Sequence, residues 1–113
     1  MVSEFQAGQC RYNVDVIFGS VSLVVFLNGK WRTVALGKVT EDGGWLVTRT
    51  YHDRLTPHLE RLTGQHIREM VRKQAAQKAK MYREIFLGDL ARQIEQKWSL
   101  PPQLPDHYYA DPL

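Results

Sequence analysis

The dipeptide Asn28-Gly29 constrains this chain most. It separates two runs, 21–27 and 30–39, that are rich in Val, Leu, Phe, Trp and Thr. A two-residue hairpin turn needs positive φ at both central positions, which Asn and Gly tolerate best, so the runs are expected to fold back on each other. Gly19-Ser20 divides the preceding run from 21–27 in the same way. Glu41-Asp42-Gly43 suits a three-residue loop with glycine in the left-handed position. The spacing predicts strands at about 11–18, 21–27, 30–39 and 45–51, a four-stranded antiparallel β-meander.

The register follows from the turns. Two-residue loops would pair Phe18 with Val21 and Leu27 with Lys30. Side chains alternate with period two, so one face collects Tyr12, Val14, Val16, Phe18, Val21, Leu23, Val25, Leu27, Val34 and Leu36. That apolar face is expected to bury against helices. The opposite face would carry Asn13, Asp15, Ile17, Ser22, Val24, Phe26, Trp31, Thr33 and Ala35. Trp45, Val47, Arg49 and Tyr51 join it if Val39 pairs with Trp45, and a loop one residue shorter would send them to the core face.

The second half is helical. Thr56-Pro57 is a cap followed by proline at the first helical position. Leu55, Leu59 and Leu62 give a short amphipathic piece that Thr63-Gly64 is expected to interrupt. A longer helix follows, with Ile67, Met70, Val71, Met81, Tyr82 and Ile85 on one stripe. Gln74 and Lys78 interrupt that stripe, which implies projection past the core or close packing through Ala75 and Ala79. Past Phe86-Leu87 the apolar phase changes, and Leu90, Ala91, Ile94 and Trp98 form a new face. Gly88-Asp89 is the expected break and cap. Ser99-Leu100-Pro101-Pro102 ends the last helix. The elements add up to one α+β domain over about 1–98, a four-stranded antiparallel β-meander followed by two or three α-helices packed on one face of the sheet. The helices are expected at about 57–63, 66–87 and 89–98, with a proline-rich extended tail over 99–113.

Composition bounds the function classes. With 113 residues, 43% hydrophobic and 24% charged, the chain is an ordinary globular sequence. Its net charge of +3 permits an anionic partner without requiring one. One cysteine, Cys10, rules out an intrachain disulfide and a multi-cysteine zinc site. The segment 1–10 lacks the basic flank and apolar stretch of a signal peptide. The longest apolar run, 21–27, falls short of the roughly 20 residues that span a bilayer. The expectation is a cytoplasmic protein with no membrane partner and no cofactor.

The strongest functional lead is the basic helix. Arg61, Arg68, Arg72, Lys73, Lys78, Lys80 and Arg83 lie between 61 and 83 with Glu69 as the one acid among them. Several cations on one rigid face are what a phosphate backbone requires. The competing explanation is a solvated helix face or a contact with an acidic protein. The second lead is the sheet: Phe26, Trp31, Trp45 and Tyr51, with Arg32 and Arg49 nearby, would let bases stack. The competing explanation is a second core layer or a dimer interface. The third is the tail, where Leu104-Pro105, His107, Tyr108, Tyr109 and Leu113 suggest docking onto the chain itself or onto a partner.

Four antiparallel strands followed by a helix resemble the ββββα unit of Whirly-type and related single-strand-binding proteins. That resemblance implies nucleic-acid binding and dimerisation through helices. The segment Gly29-Lys30-Trp31-Arg32 is similar to three-stranded-sheet DNA binders that present Trp and Arg from strands.

Catalysis finds no support. His52, His58 and His66 lack the spacing of a zinc helix, so neither a metal site nor an enzyme is expected. Glu95-Gln96-Lys97 echoes a nuclease pattern but falls on a helix, where that pattern needs a strand. The sequence therefore reads as a small non-enzymatic nucleic-acid-binding protein using Arg61, Arg68, Arg72, Lys73, Lys80, Arg83, Trp31 and Arg49. The alternative is a protein-interaction module (an inhibitor, adaptor or assembly factor) that binds an acidic surface of a larger complex. Either allows a homodimer.

Overall fold

A computed structural model describes residues 1–105 of the protein. The fold is α+β, a five-stranded antiparallel meander followed by two helices. Two compact units divide the chain, 1–70 and 71–113, the second described as far as residue 105.

In the first unit the strands are β1 (Val2–Ala7), β2 (Cys10–Ile17), β3 (Ser20–Leu27), β4 (Lys30–Val39) and β5 (Trp45–Thr50), hydrogen-bonded in chain order. The sequence reading missed β1. Its residues alternate inward and outward, but Phe5 is the one large apolar side chain on the inward set, so the period-two signal is faint. Phe5 stacks on Tyr12 of β2 and on His66 of the helix, and this ring stack fixes the strand to the core face.

The β3–β4 turn is Asn28-Gly29, with φ of 50° and 78°, and Leu27 pairs with Lys30 as the turn chemistry requires. The β2–β3 turn is Phe18-Gly19 rather than Gly19-Ser20. Val21 consequently pairs with Val16 and not Phe18. A slip of two residues leaves every side chain on its face, so the apolar face survives while Phe18 moves out to the turn. Val14, Val16, Val21, Leu23 and Val25 are all buried there.

A bulge in β4 overturns part of the expected face pattern. Val24 pairs with Thr33 and Leu23 with Ala35, leaving Val34 as the extra residue. An extra residue reverses the inward and outward sets beyond it. Val34 and Ala35 are both fully buried, Gly37 joins the core face, and Leu36 turns to the other side, half-buried. Val39 does pair with Trp45, but after the bulge that places Trp45 on the helix face and not among the outer aromatics. Its indole N–H donates to the Glu60 carbonyl at 3.1 Å. A second shift, between Leu36 and Gly37, returns Arg49 to the outer face opposite Leu36.

Helix α1 spans Pro57–Glu84 without the interruption expected at Thr63-Gly64. Thr56 Oγ1 accepts the Leu59 N–H at 3.1 Å, the expected cap. Leu59, Thr63 and Ile67, spaced by one helical turn, are buried in the first unit. Fully burying a Leu or Ile is worth roughly 1.5–3 kcal/mol, against about 1 kcal/mol for a glycine inside a helix, so packing outweighs the break signal.

In the second unit, the α1 residues from 71 onward lie in a helical hairpin with α2 (Gly88–Lys97). Ala79 and Ala91 are fully buried, so small residues let the helices approach closely. The break differs from the expected Gly88-Asp89 cap. Phe86 takes the left-handed conformation, with φ of 65°, and the Leu87 N–H bonds the Tyr82 carbonyl at 2.7 Å. Asp89 sits in the first turn of α2 and pairs with Arg92 at 2.7 Å. Past α2 the described chain has no regular structure. Gln103 N–H donates to Glu95 at 2.6 Å, and Pro105 is buried. The expected docking of His107, Tyr108, Tyr109 and Leu113 lies outside the described residues.

Candidate interaction surfaces

The helix cations do not form one free stripe. In the first unit, Arg61 is exposed beside Trp45, Pro57 and Glu60. Arg68 reaches Asp42 of the β4–β5 loop at 3.5 Å, both groups being well exposed. The Thr40 hydroxyl and the Gly44 N–H, followed by Arg68, hold the Asp42 carboxyl below its usual range. The anion beside Arg68 is therefore fixed by its own loop. An exposed pair of this kind contributes little to stability.

In the second unit, Arg72 is a cap. Its guanidinium donates to the Trp98 carbonyl at 3.3 Å and the Ser99 carbonyl at 3.1 Å, two of the orphan acceptors at the end of α2. Arg83 forms a two-point ion pair with Glu95, at 2.6 and 3.3 Å. Lys80 is half-buried, and Lys73 is exposed. Of the six helix cations singled out from sequence, Arg68, Arg72 and Arg83 thus carry intrachain contacts, and Arg61 and Lys73 stand in solvent without an ion-pair partner among the described residues.

The outer sheet face keeps part of its aromatic character. Trp31 tilts against Phe26 with ring centroids 5.1 Å apart, and the Arg11 guanidinium lies over both rings at 5.3 and 5.7 Å while bonding Glu4. Arg49 lies over Tyr51 at 4.9 Å. Arg49 pairs with Leu36, five residues along β4 from Trp31, a separation of about 17 Å at the rise of a strand. Trp31 and Arg49 are therefore two separate cation–aromatic pairs and not one platform.

Sequence reasoning missed a third surface. Met81, Ile85, Phe86, Leu87 and Leu90 are 47, 54, 93, 42 and 41% exposed. Five large apolar side chains within ten residues, at one end of the helical hairpin, form more than the scattered exposure normal on a monomer. The sequence assigned Met81 and Ile85 to a buried stripe, because helical spacing marks a face without saying what covers it. Phe86 is the most telling of the five. A bulky side chain at positive φ costs roughly 1–2 kcal/mol, and here the ring gains almost no burial in return.

Along the hairpin, Val71, Ala75, Met81, Ile94 and Trp98 line a groove of about 610 Å³. Lys78 and Lys97 stand at it with their ammonium groups over the Tyr82 and Trp98 rings, at 5.7 and 5.4 Å. Residues 71–105 carry seven lysines and arginines against three acids, and two of those acids are already paired with Arg83 and Arg92. The groove is thus bordered by two exposed cations, Lys78 and Lys97.

Among the described residues no three His, Cys, Asp or Glu side chains gather as a metal site, and no helix is long and apolar enough to cross a membrane. Compared with known proteins, the chain matches no family model, no curated protein and no solved structure.

Proposed function

We propose that the protein is a protein-interaction module, docking through the end of its helical hairpin onto a partner with an apolar surface and an acidic rim. The observation that carries this is Phe86, strained at positive φ and 93% exposed amid Met81, Ile85, Leu87 and Leu90. A side chain that weakens its own fold and stands in water is best explained by a partner that covers it. Aromatic and long apolar side chains are the usual anchors of protein interfaces. The exposed Lys78 and Lys97 would steer an acidic partner and set its register. The test is affinity purification of the full chain, with and without nuclease. One stoichiometric protein, retained after nuclease and lost on Phe86→Asp with Leu90→Asp, is the expected result.

Nucleic-acid binding is the second reading. Arg61 and Lys73, with Trp31 and Arg49 on the sheet, supply exposed cations and aromatic faces that phosphates and bases can use. It requires an affinity that falls steeply with salt, and a low-salt mobility shift measures it.

A further inference from the structure

In the first unit, a cavity of about 250 Å³ opens at the end of the β3–β4 hairpin, with Val25 and Leu27 as its apolar floor. Val25 pairs with Tyr12 on one side and Arg32 on the other, so Arg32 projects from the same face as the core residues. Asn28 and Thr33 line the cavity from the hairpin, and His52 and Arg54 line it from the segment that joins β5 to α1. Partial burial and the neighbouring Cys10 push the Tyr12 phenol up, and the charge of Arg54 works against them.

Two arginines and a histidine therefore border one small space, together with an asparagine and a threonine. No carboxylate is among the described residues lining it. Arg32 and Arg54 have no ion-pair partner among the described residues. Like charges placed together without an acid repel unless an anion is shared between them. The segment that carries them is held in an uncommon shape: His52 and Asp53 both take positive φ, 58° and 48°, and neither is glycine. Strain of this kind gathers at ligand clamps.

We propose that this cavity binds a doubly charged phosphate group, held between Arg32 and Arg54 and completed by His52, Asn28 and Thr33. The donor count decides the class of anion. Two guanidinium forks, a ring N–H, an amide and a hydroxyl offer more donors than the two oxygens of a carboxylate can use, whereas a tetrahedral phosphate presents oxygens in several directions. The volume lies below that of drug-sized pockets and suits a small anionic group. The source is either free phosphate or the phosphate of a nucleotide. The site is independent of the apolar hairpin.

Calorimetric titration of the full chain with inorganic phosphate, adenosine 5′-monophosphate and adenosine tests the assignment. Saturable binding of phosphate or of the monophosphate is expected, weakened roughly tenfold or more by Arg32→Gln and by Arg54→Gln and unchanged by Arg92→Gln. Equal affinity for phosphate and the monophosphate identifies the bare anion as ligand, and tighter monophosphate identifies a nucleotide. Arg54→Gln, in the connecting segment, keeps the test open if Arg32→Gln unfolds the sheet. No saturable binding of either anion, adenosine binding as well as its monophosphate, or equal weakening by Arg92→Gln would overturn the assignment.

Discussion

Arg83 and Glu95 join the two helices of the hairpin through a bidentate ion pair whose side chains are 19 and 6% exposed. Gln103 N–H adds a third donor to the same carboxylate at 2.6 Å. Removing one partner leaves the other charge buried and uncompensated. Arg83→Gln is expected to destabilise the protein by about 3 kcal/mol, read as a drop in the urea midpoint. A double variant, Arg83→Leu with Glu95→Leu, should recover much of that loss, since an apolar pair of similar volume carries no desolvation penalty.

The same carboxylate gives the fold an acid-sensitive contact. Burial by itself would push Glu95 up, but the Arg83 guanidinium and the Gln103 N–H outweigh it and hold the group below its usual range. A carboxyl depressed in the folded state contributes stability above its unfolded value, and that contribution is lost as pH falls through the folded value. Thermal melts taken from neutral pH downward should therefore show an acid decline that is shallower in Glu95→Gln. Equal slopes in the two proteins would contradict the pairing.

Two glycines around Trp45 should respond to alanine with opposite signs. A Cβ at Gly37 would lie 2.5 Å from the Leu46 carbonyl oxygen and 2.9 Å from the Trp45 ring, so strand β4 would have to move. Gly37→Ala is expected to cost about 1–3 kcal/mol. A Cβ at Gly64 would meet the Trp45 ring at 3.5 Å, an ordinary contact, inside a continuous helix. Gly64→Ala should stabilise by about 1 kcal/mol. Chemical denaturation of both variants checks the pair.

Thr63 is fully buried on the same helix, and its hydroxyl has no hydrogen-bond partner among the described residues. Thr63→Val keeps the shape and removes the unsatisfied polar atom. A gain of roughly 1 kcal/mol is expected in the same denaturation experiment. An unchanged or lowered midpoint would mean that the hydroxyl is satisfied in solution.

How far the sequence could be read depended on which signals are local. Asn28-Gly29, Thr56-Pro57 and the apolar set of β2 and β3 act within a few residues, and they led to four of the five strands, the cap and, Phe18 apart, the core face of β2 and β3. The β4 bulge at Val34 leaves no local mark, because Thr33, Val34, Ala35 and Leu36 suit either phase, so the sequence leaves the side of Trp45 open and ties the wrong face to its pairing with Val39. Gly64 looked like a stop because a propensity penalty is visible in sequence and the burial of Leu59 and Ile67 that offsets it is not. The cations were found by composition, yet charge patterning cannot reveal that Glu95 lies opposite Arg83 or that Arg72 reaches the end of α2. The exposed hairpin end was hidden for the complementary reason: Ile85 and Leu90 have core spacing and no core.

Phe86 separates stability from binding. Glycine takes positive φ without strain, and the ring contributes almost no burial, so Phe86→Gly should raise the unfolding midpoint by up to about 1 kcal/mol. The same change removes the anchor of the proposed interface. A more stable protein that no longer retains its partner is the expected outcome.

Partner retention by two variants purified side by side from the native host, Phe86→Gly and the pair Arg61→Gln with Lys73→Gln, decides most directly between an apolar interface and a phosphate-binding helix. Loss of the co-purifying protein from Phe86→Gly and its retention by the charge variant is the result expected here. Retention by Phe86→Gly, with nuclease-sensitive material lost from the charge variant, would contradict the protein-docking assignment.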